Sequence, residues 1–321
     1  MYHEVIHRLP RRVRSVSKST VYYLKGLTNK LRFPQNPELL YKFLISVCEG
    51  TFGHVLPNII QAISWGGNWE VDHEHRTLKL LGATLEERNK NIHDTLSAER
   101  EKKSLEVFAD WRDELFPVYG PGKELVVSIE RCAAQLFGVL TYGVQLLAYQ
   151  DNPEGISIWV ARRAAWKRSY PDMLDSTVGG SLPTGELPFE CLLREGLEEA
   201  ALDPEFVKKN VVACGTVNYT CVTDDYSRGE KGLLSPEVQF CYELKLPNDM
   251  VLAPGEAAVS EIVLLNVEQL KVALAKGEFA PLTGCLILDF FVRHGILTFE
   301  NEPNYISIAS RMHKPLDLAT I

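Results

Sequence analysis

A glycine-rich loop that runs into a short acidic helix constrains this chain more than any other segment. The loop contains Gly179, Gly180 and Gly185, and Pro188 follows where the first turn of a helix tolerates proline. Apolar residues after Pro188 recur on one side of a 3.6-residue wheel, which indicates an amphipathic helix with one buried face. Gly196 lies within that face. Because glycine in a helix interior costs about 1 kcal/mol relative to alanine, its presence predicts very close packing there.

The opposite face of this helix carries Glu195, Glu198 and Glu199, at spacings i, i+3 and i+4. Their Cβ atoms are expected to lie about 5–6 Å apart. Like charges at this spacing repel one another, and no lysine stands at i+4 to neutralise them. Clustered carboxylate oxygens are the ligands that Mg²⁺ and Mn²⁺ prefer. Taken alone, the same pattern also fits a solvated acidic face, so the helix leaves both interpretations open.

The stretch resembles the Nudix box, whose pattern is G-x5-E-x7-R-E-U-x-E-E-x-G-U, with U an aliphatic residue. The positions that match in register are Gly180, Glu186, Arg194, Glu195, Glu198, Glu199 and Leu202. Two positions depart, since Gly196 replaces an aliphatic residue and Ala201 replaces the last glycine. Neither departure removes a carboxylate. Chance agreement at this many fixed positions is improbable, so the resemblance is specific.

This resemblance implies that Glu195, Glu198 and Glu199 bind the divalent ions, Mg²⁺ or Mn²⁺, and that Glu195 or a later glutamate helps to deprotonate the attacking water. Glu186 and Arg194 are similar to the family's structural ion pair, whose favoured role is to orient the loop. The family fold is an α/β/α sandwich with the box as loop–helix–loop. Family members hydrolyse a nucleoside diphosphate linked to another group, or a related diphosphate, with metal ions that neutralise and align it.

A closer resemblance covers residues from about 37 to 315. The segments that carry it are 111–119, 129–131, 136–144, 159–163 and 174–175. They look like the eukaryotic Nudix proteins related to the Nudix half of a thiamine pyrophosphokinase fusion, which have an N-terminal extension domain. The resemblance implies the fold class α/β, a Nudix α/β/α sandwich preceded by a smaller α+β N-terminal domain. It also implies thiamine diphosphate, or its oxidised forms, as the substrate and the monophosphate as the product.

Candidate substrate ligands lie near these segments. Arg162, Arg163 and Lys167 suit a diphosphate, because the guanidinium fork fits phosphate oxygens. For Arg163 a solvated basic strand end is an equally good interpretation. Gly180, in the loop of the box, is a further substrate-binding candidate. The aromatic residues considered for stacking on a heterocycle are Tyr142, Trp159, Trp166 and Tyr170. Core packing is the favoured interpretation for each of them.

Two departures from the subgroup bear on its chemistry. Gln145 stands where the subgroup usually has histidine, and 254–257 reads Pro-Gly-Glu-Ala in place of Asp-Gly-Glu-Val. Glu256 survives in that segment, and Glu261 lies just beyond it. Either could be the late glutamate that binds a further metal ion or acts as the base, and we take Glu256 as the catalytic candidate. The missing aspartate leaves fine substrate preference open.

The chain of 321 residues suits two domains. The boundaries predicted are 1–36 for a basic arm or targeting segment, 37–128 for the N-terminal extension domain and 129–321 for the Nudix domain. Helices are predicted at 38–47, 84–108 and 282–294, with a capping box formed by Thr84 and Glu87. Strands are predicted at 138–149, 156–161, 211–222, 238–246 and 262–265.

Composition excludes several function classes. The net charge of −8 argues against nucleic acid as a partner. No run of about 18 apolar residues occurs, so no membrane span is expected. The seven cysteines form no CxxC pair, which indicates reduced thiols in an intracellular protein. We expect a cytoplasmic protein, with a mitochondrial location as the alternative because the arm at 1–36 is basic and acid-poor.

Other functions remain open from the sequence. One alternative keeps the chemistry and changes the substrate to a nucleotide-sugar or dinucleotide diphosphate. Another is a non-catalytic Nudix module that binds a ligand. The N-terminal domain could be a substrate lid, a regulatory module or a dimerisation surface, so a homodimer is also left open.

Overall fold

The computed structural model describes residues 37–227, 229–313, 316 and 318. The basic arm predicted at 1–36 lies outside these residues. None of the helices among them is both long enough and apolar enough to cross a membrane.

The N-terminal domain is built on a four-stranded sheet. Its strands lie in the order β2-β1-β4-β3, and β1 is parallel to β4 and antiparallel to β2. Their bounds are β1 Tyr41–Ile45, β2 Gly53–Val55, β3 Trp69–Asp72 and β4 Thr77–Leu80, with the short helix α1 at Pro57–Ala62.

The helix predicted over 38–47 is wrong, because this segment forms a 3-10 turn and then β1. Phe43 and Ile45 point into the core with 0% and 2% of their surface exposed, while Leu44 between them is half-buried. The ring of Phe43 packs 4.9 Å from that of Phe137, which is distant in sequence. A short apolar run fits both helical and strand periods, and here pairing with β2 and β4 decides the outcome.

The second predicted helix is present as α2, Leu85–Lys102, with the capping box of Thr84 and Glu87 confirmed. It ends earlier than predicted, because Lys103 adopts a left-handed conformation with φ 53°. A 3-10 turn at Glu106–Asp110 follows. The domain is completed by the hairpin β5 Leu115–Tyr119 and β6 Leu125–Glu130, a 3-10 turn at Arg131–Ala133 and α3 Ala134–Phe137.

The C-terminal domain contains a mixed sheet in the order β11-β12-β7-β8-β13, and the short strands β9 and β10 pair with β8 and β7. All the strands predicted in this domain are present. Their bounds are β7 Thr141–Asn152, β8 Gly155–Arg163, β9 Leu174–Asp175, β10 Val178–Ser181, β11 Val211–Val222, β12 Leu234–Lys245 and β13 Val259–Asn266. β7 and β8 form the predicted hairpin, and β12 runs parallel to β7.

Helices cover both faces of this sheet. Leu147 and Ile158 belong to the core cluster beneath α6, α7 and α8, whereas Leu146 and Trp159 belong to the cluster beneath α4 and α5. Adjacent strand residues therefore serve opposite layers, as a pleated strand requires. The predicted α/β/α sandwich preceded by an N-terminal domain is confirmed. The helices are α4 Pro188–Ala200, α5 Pro204–Asn210, α6 Val267–Lys276, α7 Pro281–Arg293 and α8 Tyr305–Met312.

The two domains are fastened together beside the loop that precedes α4. The backbone N–H of Thr184 donates to the carbonyl oxygen of Leu115 at 2.8 Å. The carboxylate of Glu230 accepts the backbone N–H groups of Glu106 and Val107, at 2.5 and 3.3 Å. Leu233, from the C-terminal domain, is fully buried in the core of the N-terminal one. This attachment places the hairpin β5–β6 at the edge of the candidate site.

Candidate active site

The acidic face of α4 opens onto a cleft of about 680 Å³. Glu195, Glu198 and Glu199 line it from α4, and Glu256 lines it from the loop before β13. A volume of this size is ordinary for a site that takes a small molecule. The helix pattern and the cleft together remove the interpretation of a purely solvated acidic face.

Gly180 in β10 allows the carboxylate face to pack against the sheet. A Cβ atom at this position would lie 2.4 Å from Cγ of Glu195, closer than any real contact. Gly180 also lines the cleft. Its glycine identity is therefore explained by the approach of Glu195, whereas the sequence suggested a substrate contact.

Glu199 is the most enclosed of the three carboxylates. Burial raises the pKa of Glu199 to about 8, which the hydrogen bond from the backbone N–H of Gly179, at 2.9 Å, only partly offsets. Burial also raises the pKa of Glu195, and the charges of Glu198 and Glu256 act in the same direction. Four carboxylates that repel one another in a partly enclosed cleft are a donor set that suits a hard divalent cation.

The carboxylates do not form a finished metal cage. Within the described ranges, no three His, Cys, Asp or Glu side chains converge closely enough to hold an ion. Glu195 and Glu198 instead accept hydrogen bonds from Nη1 of Arg194, at 2.9 and 3.2 Å. The donor chemistry of these carboxylates nevertheless fits a divalent cation.

The ion pair expected between Glu186 and Arg194 is present as a two-point contact. Nε and Nη2 of Arg194 donate to the two carboxylate oxygens of Glu186, at 2.8 and 2.9 Å. The hydrogen bond from Arg194 lowers the pKa of Glu186 below its usual range. A two-point guanidinium–carboxylate contact fixes orientation as well as distance, so this pair holds the loop against the helix.

Gly255 positions the loop that carries Glu256. Its backbone N–H donates to the carbonyl oxygen of Glu199 at 2.9 Å. A Cβ atom there would lie 2.3 Å from the carbonyl oxygen of Glu198. No role for Gly255 was predicted from the sequence, although its place in the segment 254–257 was the available signal. Glu261, the other candidate for the late glutamate, lies outside the cleft and pairs with Arg162 at 2.6 Å.

Comparisons with known proteins agree with this architecture. Residues 141–283 match the model described as NUDIX domain, and residues 31–141 match a domain of unknown function (DUF4743). An uncharacterized protein of Saccharomyces cerevisiae is 33% identical over 260 residues, which are 79% of this chain and 75% of that protein. Nudix hydrolase 20, chloroplastic, of Arabidopsis thaliana is 30% identical over 238 residues, which are 74% of this chain and 60% of the plant protein.

Residues 141–283 of this chain are a domain of the Nudix family. Hydrolases of this family act on diphosphate bonds and generally use divalent metal ions. A crystal structure of DR0079 from Deinococcus radiodurans aligns with a TM-score of 0.38 and 22% identity, over 52% of this chain and 92% of that one.

Of the three basic residues predicted to bind substrate, two line the cleft and one does not. The prediction that Arg162 binds substrate is corrected by the structure. Arg162 lies outside the cleft, where it donates to Glu261 and to the carbonyl oxygen of Asp172. Arg163 lines the cleft, but its guanidinium pairs with Asp175 at 2.7 Å and also donates to the carbonyl oxygen of Ser169. Adjacent residues on a strand point to opposite faces, so only one of this pair could reach the site.

Lys167 keeps its charge free in the cleft. Among the described residues it has no ion-pair partner, and its ammonium lies 5.9 Å from the ring centroid of Trp166. Trp166 is 65% exposed and lines the cleft, so core packing, the favoured interpretation, is wrong for this residue. Tyr170 also lines the cleft, whereas Tyr142 and Trp159 are buried in the core as expected.

A chain of polar side chains, which the sequence did not group together, runs in and beneath the Nudix cleft and is here called the polar floor. Its members are Gln145, Ser176, Tyr219, Ser235, Glu237 and Gln239. Ser176 donates to Gln145 at 2.5 Å, and Gln145 donates to Gln239 at 3.3 Å. Gln239 in turn donates to Glu237 at 2.9 Å.

Glu237 is the charged member of the polar floor. Burial raises its pKa above the usual range, while hydrogen bonds from Tyr219, Ser235 and Gln239 oppose that shift. Part of its surface remains open to the cleft. A carboxyl group placed in this way offers a hydrogen-bond acceptor to a bound molecule.

Proposed function

We propose that this protein hydrolyses the phosphoanhydride bond of a small organic diphosphate, with a divalent cation, Mg²⁺ or Mn²⁺, bound by Glu195, Glu198 and Glu199. One observation carries the proposal. Four carboxylates of the Nudix cleft, those three and Glu256, lie close enough to influence one another at one end of a cavity that fits a small molecule.

We assign different roles in hydrolysis to the residues of the cleft. The cation, when bound, would neutralise the diphosphate oxygens and lower the pKa of a coordinated water molecule. Glu186 and Arg194 keep the loop in place, and the docking of Gly255 keeps Glu256 beside Glu195. We assign the proton-accepting role to Glu256, because within the described residues it has no side-chain hydrogen bond or ion pair of its own.

Thiamine diphosphate, or an oxidised form of it, is the substrate we propose, with the monophosphate as product. The resemblance of several segments to the thiamine-linked Nudix proteins supports this choice. The cleft offers matching chemistry, because Glu237 supplies an acceptor for an amino group and Trp166 presents an exposed ring. An amino-substituted aromatic heterocycle joined to a diphosphate would use both features.

The test is a substrate panel with purified protein and Mg²⁺. The panel contains thiamine diphosphate, its oxidised forms, ADP-ribose, NADH and dinucleoside polyphosphates, and the monophosphate products are measured. Glu198→Gln serves as the inactive variant, and Glu190→Gln, on the same helix but outside the cleft, serves as its matched control. Release of a thiamine monophosphate by the wild type and the control variant, but not by Glu198→Gln, would support the proposal.

The other outcomes of the panel discriminate the alternatives. Cleavage of nucleotides alone would keep the chemistry and overturn the thiamine substrate. Binding of a diphosphate without cleavage of any compound would favour a ligand-binding Nudix module. Equal rates for Glu198→Gln and the wild type would overturn the assignment of the metal ligands.

A further inference from the structure

The N-terminal domain forms one wall of the Nudix cleft. Arg112 and Arg131 line the cavity together with the carboxylates of α4. Arg131 follows the hairpin β5–β6, which is fastened to the loop of the Nudix box by the hydrogen bond between Thr184 and Leu115. A second hydrogen bond joins the hydroxyl groups of Thr184 and Ser128 at 3.1 Å. The position of Arg131 relative to the cleft is therefore set by direct contacts between the domains.

Two arginines of the cleft are occupied by acids of the protein. Arg194 donates to Glu186 and to two glutamates of α4, and Arg163 pairs with Asp175. Arg112, from the N-terminal domain, makes one long contact, from Nη2 to Asp110 at 3.4 Å, and so keeps other donors free. An anionic substrate in a cleft with so many carboxylates needs cations whose donors are free. Lys167 is one such cation from the Nudix domain.

Arg131 is a further cation with free donors, it comes from the N-terminal domain, and its guanidinium is held in a fixed plane. Among the described residues, its side chain makes one hydrogen bond, from Nη1 to Glu114 at 2.7 Å. Its guanidinium carbon lies 5.6 Å from the ring centroid of Phe116. These two contacts hold the plane of the group and leave Nε and Nη2 without a partner. That edge has the spacing that matches two oxygens of one phosphate.

The charge of Arg131 reaches the polar floor. The guanidinium is near enough to Glu237 for its positive charge to favour the ionised carboxylate. Its side chain is 35% exposed, so a bound molecule can reach it. Arg131 therefore lines the same cleft as the carboxylates of α4, on its N-terminal side and near the polar floor.

We propose that Arg131 binds a phosphate group of the substrate through Nε and Nη2, so that the N-terminal domain supplies part of the substrate site. This inference rests on the proposed function, because it takes an organic diphosphate as the ligand. It gives the N-terminal domain a specific task, which is to add a cation that α4 and the sheet do not offer. Arg131 is thus a substrate-binding residue and not a proton donor in the reaction.

The direct test measures binding of methylenediphosphonate, a diphosphate analogue that cannot be hydrolysed, by calorimetry in the presence of Mg²⁺. Arg131→Gln is expected to weaken binding roughly 10- to 100-fold, since charge-assisted hydrogen bonds are lost. Arg131→Lys keeps the charge but not the fork, and an intermediate affinity is expected. Glu114→Gln is the matched control, because it breaks the ion pair and leaves the guanidinium in place. Its affinity should equal or exceed that of the wild type.

A purely structural role for Arg131 predicts a different pattern. In that case Glu114→Gln and Arg131→Gln would weaken binding equally, with the same fall in melting temperature, and the inference would be overturned. Wild-type affinity in Arg131→Gln, or no binding of the analogue by the wild type, would overturn it as well. Steady-state kinetics distinguish a failure of the inference about Arg131 from a failure of the proposed function. If the wild type cleaves a diphosphate and Arg131→Gln leaves KM unchanged, only the inference fails.

Discussion

The backbone N–H of Gly255 donates to the carbonyl oxygen of Glu199 at 2.9 Å, which ties the loop carrying Glu256 to the last turn of α4. The contact joins two segments that are more than fifty residues apart in the sequence. It makes the position of the fourth carboxylate depend on the backbone of the helix that carries the other three.

Replacing Gly255 by alanine should separate these segments. The added Cβ would lie 2.3 Å from the carbonyl oxygen of Glu198, so the loop must move and take Glu256 with it. We expect kcat to fall by roughly 100-fold, the cost of a displacement of about 1 Å at a catalytic group. Gly66→Ala is the control, because nothing lies within 4 Å of that position. Equal activity in both variants would contradict the positioning role of Gly255.

Gly196→Ala should stabilise the protein, contrary to the close packing that the sequence suggested. The nearest atom to a Cβ at this position is 3.9 Å away, on Leu202, which is ordinary van der Waals contact. Alanine then gains helix propensity, worth up to about 1 kcal/mol. Urea unfolding measures the change in the free energy of unfolding. A loss of stability would show that the helix is tighter here than the distances indicate.

Glu198→Gln should remove metal-dependent turnover and leave the fold intact. Glu198 is exposed to the cleft, so the neutral amide causes little strain. We expect kcat to fall more than about 100-fold, since even residues that only support a metal ligand cost 10- to 100-fold. Excess chelator should abolish wild-type turnover in the same assay. Turnover that persists in chelator would contradict the metal requirement.

The stability of the Nudix domain should depend on the ionised form of Glu243. Burial opposes ionisation, but hydrogen bonds from His294 and Arg293, together with the charge of Arg293, hold the pKa of Glu243 below the ordinary value of 4.5. A lowered pKa in the folded state means that the stabilisation is complete above 4.5 and is lost as the pH falls through the folded value.

Glu243→Gln tests this dependence. The variant should lose about 1–3 kcal/mol at neutral pH, because hydrogen bonds to a charged group are removed. Its loss of stability on acidification should be shallower than that of the wild type, as measured by urea unfolding at a series of pH values. Glu268→Gln, which removes an exposed pair with Lys271 at 2.8 Å, serves as the control and should change little.

The sequence was most informative where one helix carries the chemistry. Glu195, Glu198 and Glu199 share a short continuous segment, so their common face follows from helical periodicity alone. Glu186 and Arg194 lie in the same segment, and their pairing could be expected from the motif. Local geometry was enough in each case, because no distant strand had to be placed.

Prediction from the sequence failed where the surroundings of a residue depend on pairing between strands that are distant in the chain. The sequence predicts a strand at 238–246 but not its neighbours, and β12 lies inside the sheet with helices on both sides. Glu237 and Gln239 therefore had to face a cleft instead of bulk water. Similarly, β1 was assigned as a helix, because the partners that make it a strand are β2 and β4.

The burial of Leu233 in the core of the N-terminal domain means that the two domains share an interior. A fragment that began at residue 141, where the NUDIX match begins, would leave this leucine without its surroundings. It would also lose Arg112 and Arg131 from the wall of the cleft. The unit that folds with a complete core is therefore larger than the NUDIX match at 141–283. If Arg131 binds the substrate as we propose, substitutions in the N-terminal domain would alter substrate choice without any change in α4.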